Sequence, residues 1–298
     1  MKLVVAIAAA AATTVTPVGV GTQPCAEIGA FGSVWVANYG SATLSRVDPA
    51  TNKVTGTVKV GAGPCGLAAG AGSVWVDGYG TDTVERVDPR TLKRTRVIPA
   101  GPAVWDVAFD GRYVWADDNT SGTVVKIDPR RNAVVRRFHT GGNPTGLAIA
   151  AGSLWVGSNG ALDKRFFRIA LATGRITAVA PGCLRPAYFA VATGQDVWVT
   201  CVGDGVARGW ALRIDPHTDH VLARVRVGVN PGDGAIDANA RVWIPNKADG
   251  TVDRIDPGTN RIVETVTVGG SPFVTNAAFG DVWVPDGTGS TVARLHAP

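Results

Sequence analysis

The chain has 298 residues, 45% hydrophobic and 18% charged, with 38 glycines, 18 prolines, nine tryptophans and one methionine. No stretch approaches the ~18–20 apolar residues a membrane helix needs, so no membrane span is expected. The formal charge of +5 and pI near 9.2 raise a nucleic-acid partner. However, the local basic cluster (Arg90, Lys93, Arg94, Arg96, Arg130, Arg131, Arg136, Arg137) falls on outer strands and hairpin turns. It has no aromatic-stacking motif beside it and reads as a solvated rim, so no nucleic acid is expected.

The chain opens on Lys2 followed by ten apolar residues ending in Ala10-Ala11-Ala12. Residues 1–12 read as a short signal segment, which makes an exported location (periplasmic, cell-surface or secreted) the expectation. Residues 13–298 read as one domain. Within it, residues 14–20 form an isolated strand that aligns with residues 54–60, the outer strand of the first full unit.

A repeat follows. Trp35, Trp75, Trp115, Trp155, Trp198, Trp243 and Trp283 are spaced by 40, 40, 40, 43, 45 and 40 residues. Self-similarity at this period marks a repeat architecture. About a dozen residues before each tryptophan stands a proline: Pro24, Pro64, Pro102, Pro144, Pro186, Pro231 and Pro272. Eleven residues after most of them stands a basic residue (Arg46, Arg86, Lys126, Arg254, Arg294), displaced to Arg168 and Arg213 in units four and five. Asp-Pro closes five units two residues later, as in Asp48-Pro49. Each unit holds four short β-branched or alternating runs separated by Gly and Asp-Pro turns, too short for helices. Seven four-stranded antiparallel units predict an all-β, seven-bladed β-propeller. The seventh unit stops after its third strand, so residues 14–20 are expected to pair with residues 290–295 and close the ring, removing an open edge.

The four cysteines allow three pairings. Cys183 and Cys201 fall on the same face and are the expected disulfide; the state of Cys25 and Cys65, at equivalent places in neighbouring units, stays open. No Cys-x-x-Cys supports zinc, and no nucleophile elbow, Walker loop or EF-hand spacing occurs. His139, His217, His220 and His296 fall on expected surface positions. No metal and no catalytic residue is assigned.

Departures from the repeat point to function. Units four and five carry insertions between their second and third strands, on the face shared by the unit-to-unit loops, and insertions commonly mark a binding face. The non-repeated polar and aromatic residues expected around that face are Glu27, Tyr39, Trp105, Asp106, Asp118, Tyr188, Arg208, Asp233, Asn276 and Asp286, with Tyr79 and Trp210 beside them. An aromatic channel mouth ringed by carboxylates suits a small cation or polar ligand. The expectation is a monomeric binding scaffold for a protein, peptide or small polar ligand.

The phrase Gly61-x-x-Pro64 … Ser73-Val74-Trp75-Val76 … Thr83-Val84-x-Arg86-Val87-Asp88-Pro89 is similar to the YVTN-type and streptogramin-lyase-like propeller repeats of bacteria, along essentially the whole chain. The resemblance implies the propeller fold. For its streptogramin B lyase members it implies magnesium-assisted opening of a cyclic depsipeptide, by a histidine just after a repeat proline and a glutamate three residues after a repeat tryptophan. Here the residues after the prolines are Cys25, Cys65, Ala103, Thr145, Ala187, Gly232 and Phe273. Three past the tryptophans, only Asp118 and Asp286 are acidic. No cofactor is expected, and magnesium enters only under the alternative of a lyase- or hydrolase-like enzyme with a rearranged site.

Overall fold

A computed structural model describes residues 12–191 and 194–298. The expected signal segment therefore lies almost wholly outside the described residues. Seven four-stranded antiparallel sheets form a ring, each meandering outward from the central axis. Blade 1 shows the pattern: β2 (Pro24–Ala30) lines the axis, and β3 (Ser33–Asn38), β4 (Thr43–Asp48) and β5 (Lys53–Lys59) follow toward the rim. The last blade takes its outer strand from the N-terminal side. β1 (Thr14–Gly19) pairs with β28 (Thr291–His296), in register from Thr14 opposite His296 to Gly19 opposite Thr291. The two ends of the described chain thus share one ladder, as the orphan strand predicts.

The repeated residues hold blade to blade. Every repeat tryptophan is at most 1% exposed, packed between adjacent sheets. Six of the seven indole N–H groups are satisfied locally: Trp35, Trp75, Trp155 and Trp283 donate to the carbonyl five residues earlier, and Trp115 and Trp243 to Asp110 and Asp237. In five blades the recurring basic residue lies over that ring, with Arg86 5.1 Å from the Trp75 centroid and Arg294 5.2 Å from that of Trp283. It then reaches into the next blade. Arg86 donates to the Pro129 carbonyl and Asn132; Arg213 does the same to Pro257 and Asn260, and Arg294 to Pro49 and Asn52. The Asp-Pro turn is therefore the receptor for the preceding blade's arginine. Its aspartate fixes the turn by accepting the N–H two residues on, as Asp48 does from Ala50 at 2.8 Å.

Candidate functional site

The inner strands enclose a central cavity of about 390 Å³. That is at the small end of the range typical of ligand sites, roughly 300–1,000 Å³. Of the ten residues expected at a site, Glu27, Trp105, Asp106, Tyr188, Asp233 and Asn276 line this cavity. Tyr39, Asp118, Arg208 and Asp286 lie outside it and have local roles. Asp118 accepts the Ser121 N–H, Asp286 caps its own loop through Thr288, Arg208 donates to the Val227 carbonyl, and Tyr39 is 38% exposed.

An aromatic plug closes the end of the channel from which the inner strands start. Trp105 of blade 3 meets Phe273 of blade 7 edge to face, with centroids 6.0 Å apart. Phe273 meets Tyr188 of blade 5 at 5.0 Å, and Trp105 meets Tyr79 of blade 2 at 5.5 Å. Contacts between non-adjacent blades are possible only across the axis. The Lys247 ammonium caps the Phe273 ring at 5.1 Å. Phe273 is missed as a site residue by sequence reasoning. Its signal is an aromatic residue directly after a repeat proline, where the other blades carry small residues.

Carboxylates lie beneath the plug. The ladders set Glu27 opposite Val36, Leu67 opposite Val76, Val107 opposite Ala116, Leu147 opposite Val156 and Phe189 opposite Val199. Glu27 thus stands where blades 2 to 5 carry an apolar residue. It is 1% exposed, and among the described residues neither of its oxygens meets a hydrogen-bond donor within bonding distance. Burial pushes its carboxyl well above the usual glutamate range. The approach of the Asn276 backbone N–H opposes that shift and the charge of Asp233 adds to it.

Asp106 accepts the N–H groups of Val107 (2.8 Å) and of Leu147 in the next blade (2.6 Å). Burial in the channel wall nonetheless raises it to about 7. Asp233 accepts the Phe189 N–H at 3.0 Å and is raised by burial and by Asp106. Behind this layer, buried Asp77 and Asp117 replace a missing ladder. In blades 2 and 3 the inner strand starts late, at Leu67 and Val107, and the N–H groups before it donate to these carboxylates: Cys65 to Asp77, Trp105 and Asp106 to Asp117. Burial raises both acids as well.

Among the described residues no lysine, arginine or histidine lines the cavity. Nor do any three His, Cys, Asp or Glu side chains come together as a group suited to one metal ion. Asp118 and Asp286, the two acids at the lyase-motif positions, have no histidine among their hydrogen-bond partners.

Both cysteine pairs are bonded. Cys183–Cys201 has the expected reach, with Cα atoms 6.1 Å apart, and Cys25–Cys65 joins the inner strand of blade 1 to the segment entering that of blade 2 across 5.0 Å. The two insertions form one tied block at the rim. The Arg185 N–H donates to the Asp163 carbonyl and its guanidinium to that of Gly203, leaving Leu162 and Val206 more than 80% exposed.

The family of a repeat of unknown function, DUF6923, matches residues 71–180. No curated protein sequence matches the chain. Among solved structures, hydrazine synthase of Kuenenia stuttgartiensis superposes with a TM-score of 0.80 at 16% identity, covering 93% of this chain and 96% of that one. A streptogramin B lyase gives 0.80 at 14% identity, over 96% and 98%. Virginiamycin B lyase of Staphylococcus aureus gives 0.79 at 14%, over 96% and 100%. U3-55K gives 0.80 at 8%, over 95% and 98%. At these identities the likeness extends to the propeller fold, which enzymes and non-enzymes share, and the chain resembles the streptogramin-lyase-like propellers in that sense.

Proposed function

We propose that this protein is an exported, non-catalytic binding ring that holds a small polar ligand at the plugged, acid-lined end of its central channel. One observation carries the reading. Trp105, Tyr188 and Phe273 meet across the axis directly above Glu27, Asp106 and Asp233. Packing periodicity does not call for these residues, and an apolar and aromatic wall with a few convergent polar groups is the usual composition of a ligand site. Two disulfides support the exported location, since such bonds persist in oxidising compartments.

Asp106 favours a second reading. A carboxyl raised to about 7 is matched to general-base work near neutral pH. Both its oxygens, however, are already engaged by backbone N–H groups, which suits a wall residue better than a free base.

The test is a thermal-shift screen of a small-molecule library containing amines, acids, sugars and cyclic depsipeptides, run on the native protein and on Trp105→Ala. The reading expects stabilising ligands whose effect is lost in the variant and which are recovered chemically unchanged. Recovery of a converted product, with turnover lost in Asp106→Asn, would establish the enzyme instead.

A further inference from the structure

We propose that the ligand of the channel is a linear aliphatic diammonium ion, one end seated on Glu27 and the other between Asp106 and Asp233. This rests on the binding reading above and names its ligand class.

Glu27 is the starting point. A carboxyl with both oxygens unpartnered at 1% exposure is costly, and buried polar groups in folded proteins are nearly always satisfied. In blades 2 to 5 the same tier is built of Leu67, Val107, Leu147 and Phe189, so packing there would be served by an apolar residue. An unsatisfied acceptor in the wall of a cavity asks for a donor from outside the chain, and an incoming donor must part the groups that now cover its oxygens. The cavity supplies no cation of its own, because no basic side chain among the described residues lines it.

The charge count sets the class. Glu27, Asp106 and Asp233 stand on blades 1, 3 and 6 and so surround the axis. A single metal ion would need several oxygens at roughly 2.0–2.6 Å, and these acids form no such cluster. One ammonium group would answer one of them. Two ammonium groups joined by methylenes answer acids that stand on separate blades and form no single cluster, and the methylenes match the Leu67, Val107 and Leu147 walls. The aromatic plug adds ring faces suited to a cation. Entry is from the opposite end, where Ile28, Phe109, Ile149 and Ile236 are half-buried rather than closed.

Binding should be linked to protons. The groups facing Glu27 are Asp233 and the Asn276 amide, with Asp106, Asp77, Asp117 and Tyr188 around them and Lys247 beyond Phe273. Burial holds its carboxyl well above the usual glutamate range and an arriving ammonium group lowers it, so binding favours proton release. The released proton appears as a dependence of the binding heat on the buffer's ionisation enthalpy.

The experiment is isothermal titration calorimetry at pH 8 with 1,5-diaminopentane, n-pentylamine, 1,5-pentanediol and calcium chloride, on the native protein and Glu27→Gln. Circular dichroism confirms the fold of both. The diamine is expected to bind with proton release, the monoamine about tenfold or more weaker, and the diol and calcium not measurably. Glu27→Gln should weaken the diamine about tenfold to hundredfold, as expected for a charge-assisted contact of roughly 1.5–3 kcal/mol. Absence of diamine binding, equal binding by Glu27→Gln, or displacement by calcium overturns the proposal. Binding of the diol, or of the monoamine as tightly as the diamine, overturns the ligand class and leaves the channel reading standing. If no probe binds, the diammonium class is excluded and the library screen alone decides the binding reading.

Discussion

Replacing Glu27 with leucine should stabilise the free protein. The change removes a buried carboxyl whose oxygens lack partners, a burden of about 1–3 kcal/mol. It also installs the side chain that blades 2 and 4 already carry at the same tier, Leu67 and Leu147, and burying a leucine gains about 1.5–3 kcal/mol. Imperfect repacking costs up to about 1.5 kcal/mol. The net expectation is a gain of about 2 kcal/mol at pH 8, or about 4 °C in Tm. The pH dependence has a definite sign. Glu27 has a folded pKa above its unfolded value, so the folded state binds the extra proton and stability is lost as pH rises from about 4.5 through the raised folded value. The leucine variant lacks this loss. Its advantage should therefore be small at pH 4.5 and largest at pH 8, measured by thermal denaturation followed by circular dichroism without amines in the buffer. A variant less stable than the native protein at pH 8, or an advantage that does not change with pH, would mean that Glu27 has a partner in the free ring and would refute the reasoning.

Deleting residues 1–21 removes the β1 ladder and the Val18 contact with Val34, Val47 and Trp283, and should lower stability by more than about 3 kcal/mol, seen as a Tm loss of roughly 5 °C or more. Unchanged melting would show that the seventh blade is stable with three strands. Opening Cys25–Cys65 by replacing both with serine should cost up to about 4 kcal/mol, because the bond closes a separation of 40 residues; for Cys183–Cys201, with 18, the figure is about 3. Differential scanning calorimetry of the two double variants gives the order directly. No ring opening of a streptogramin B depsipeptide is expected with magnesium present, since the motif acids lack a histidine partner; product detected by mass spectrometry and abolished in Asp118→Asn or Asp286→Asn would contradict this.

The fold was legible because its determinants recur. Seven tryptophans, the basic residue that covers most of their rings and the Asp-Pro turn that receives it are one device repeated, so period alone gives blade number and closure. Single-copy residues are harder. Glu27, Trp105, Asp106, Tyr188, Asp233 and Asn276 can be picked out because they break the pattern on or just before the inner strands. Tyr39, Asp118, Arg208 and Asp286 break it equally but sit at or just beyond the ends of second and third strands, and sequence does not separate a strand-end cap from a channel wall. Phe273 and the carboxylates of Asp77 and Asp117 were passed over, since their importance comes from contacts across the axis or from a late-starting strand. Cys25 and Cys65 illustrate the same geometry. Equivalent positions of neighbouring blades lie far apart at the rim but converge at the axis, which brings residues 40 apart to 5.0 Å.

The central claim, that the ring binds its ligand in the channel beneath the aromatic plug, is tested most directly by a crystallographic fragment soak. The account predicts that polar and cationic fragments collect between Trp105, Phe273 and Glu27, and that this density vanishes in crystals of Glu27→Leu. Fragments that gather only at the rim, around Leu162 and Val206, with the channel holding none, would contradict it.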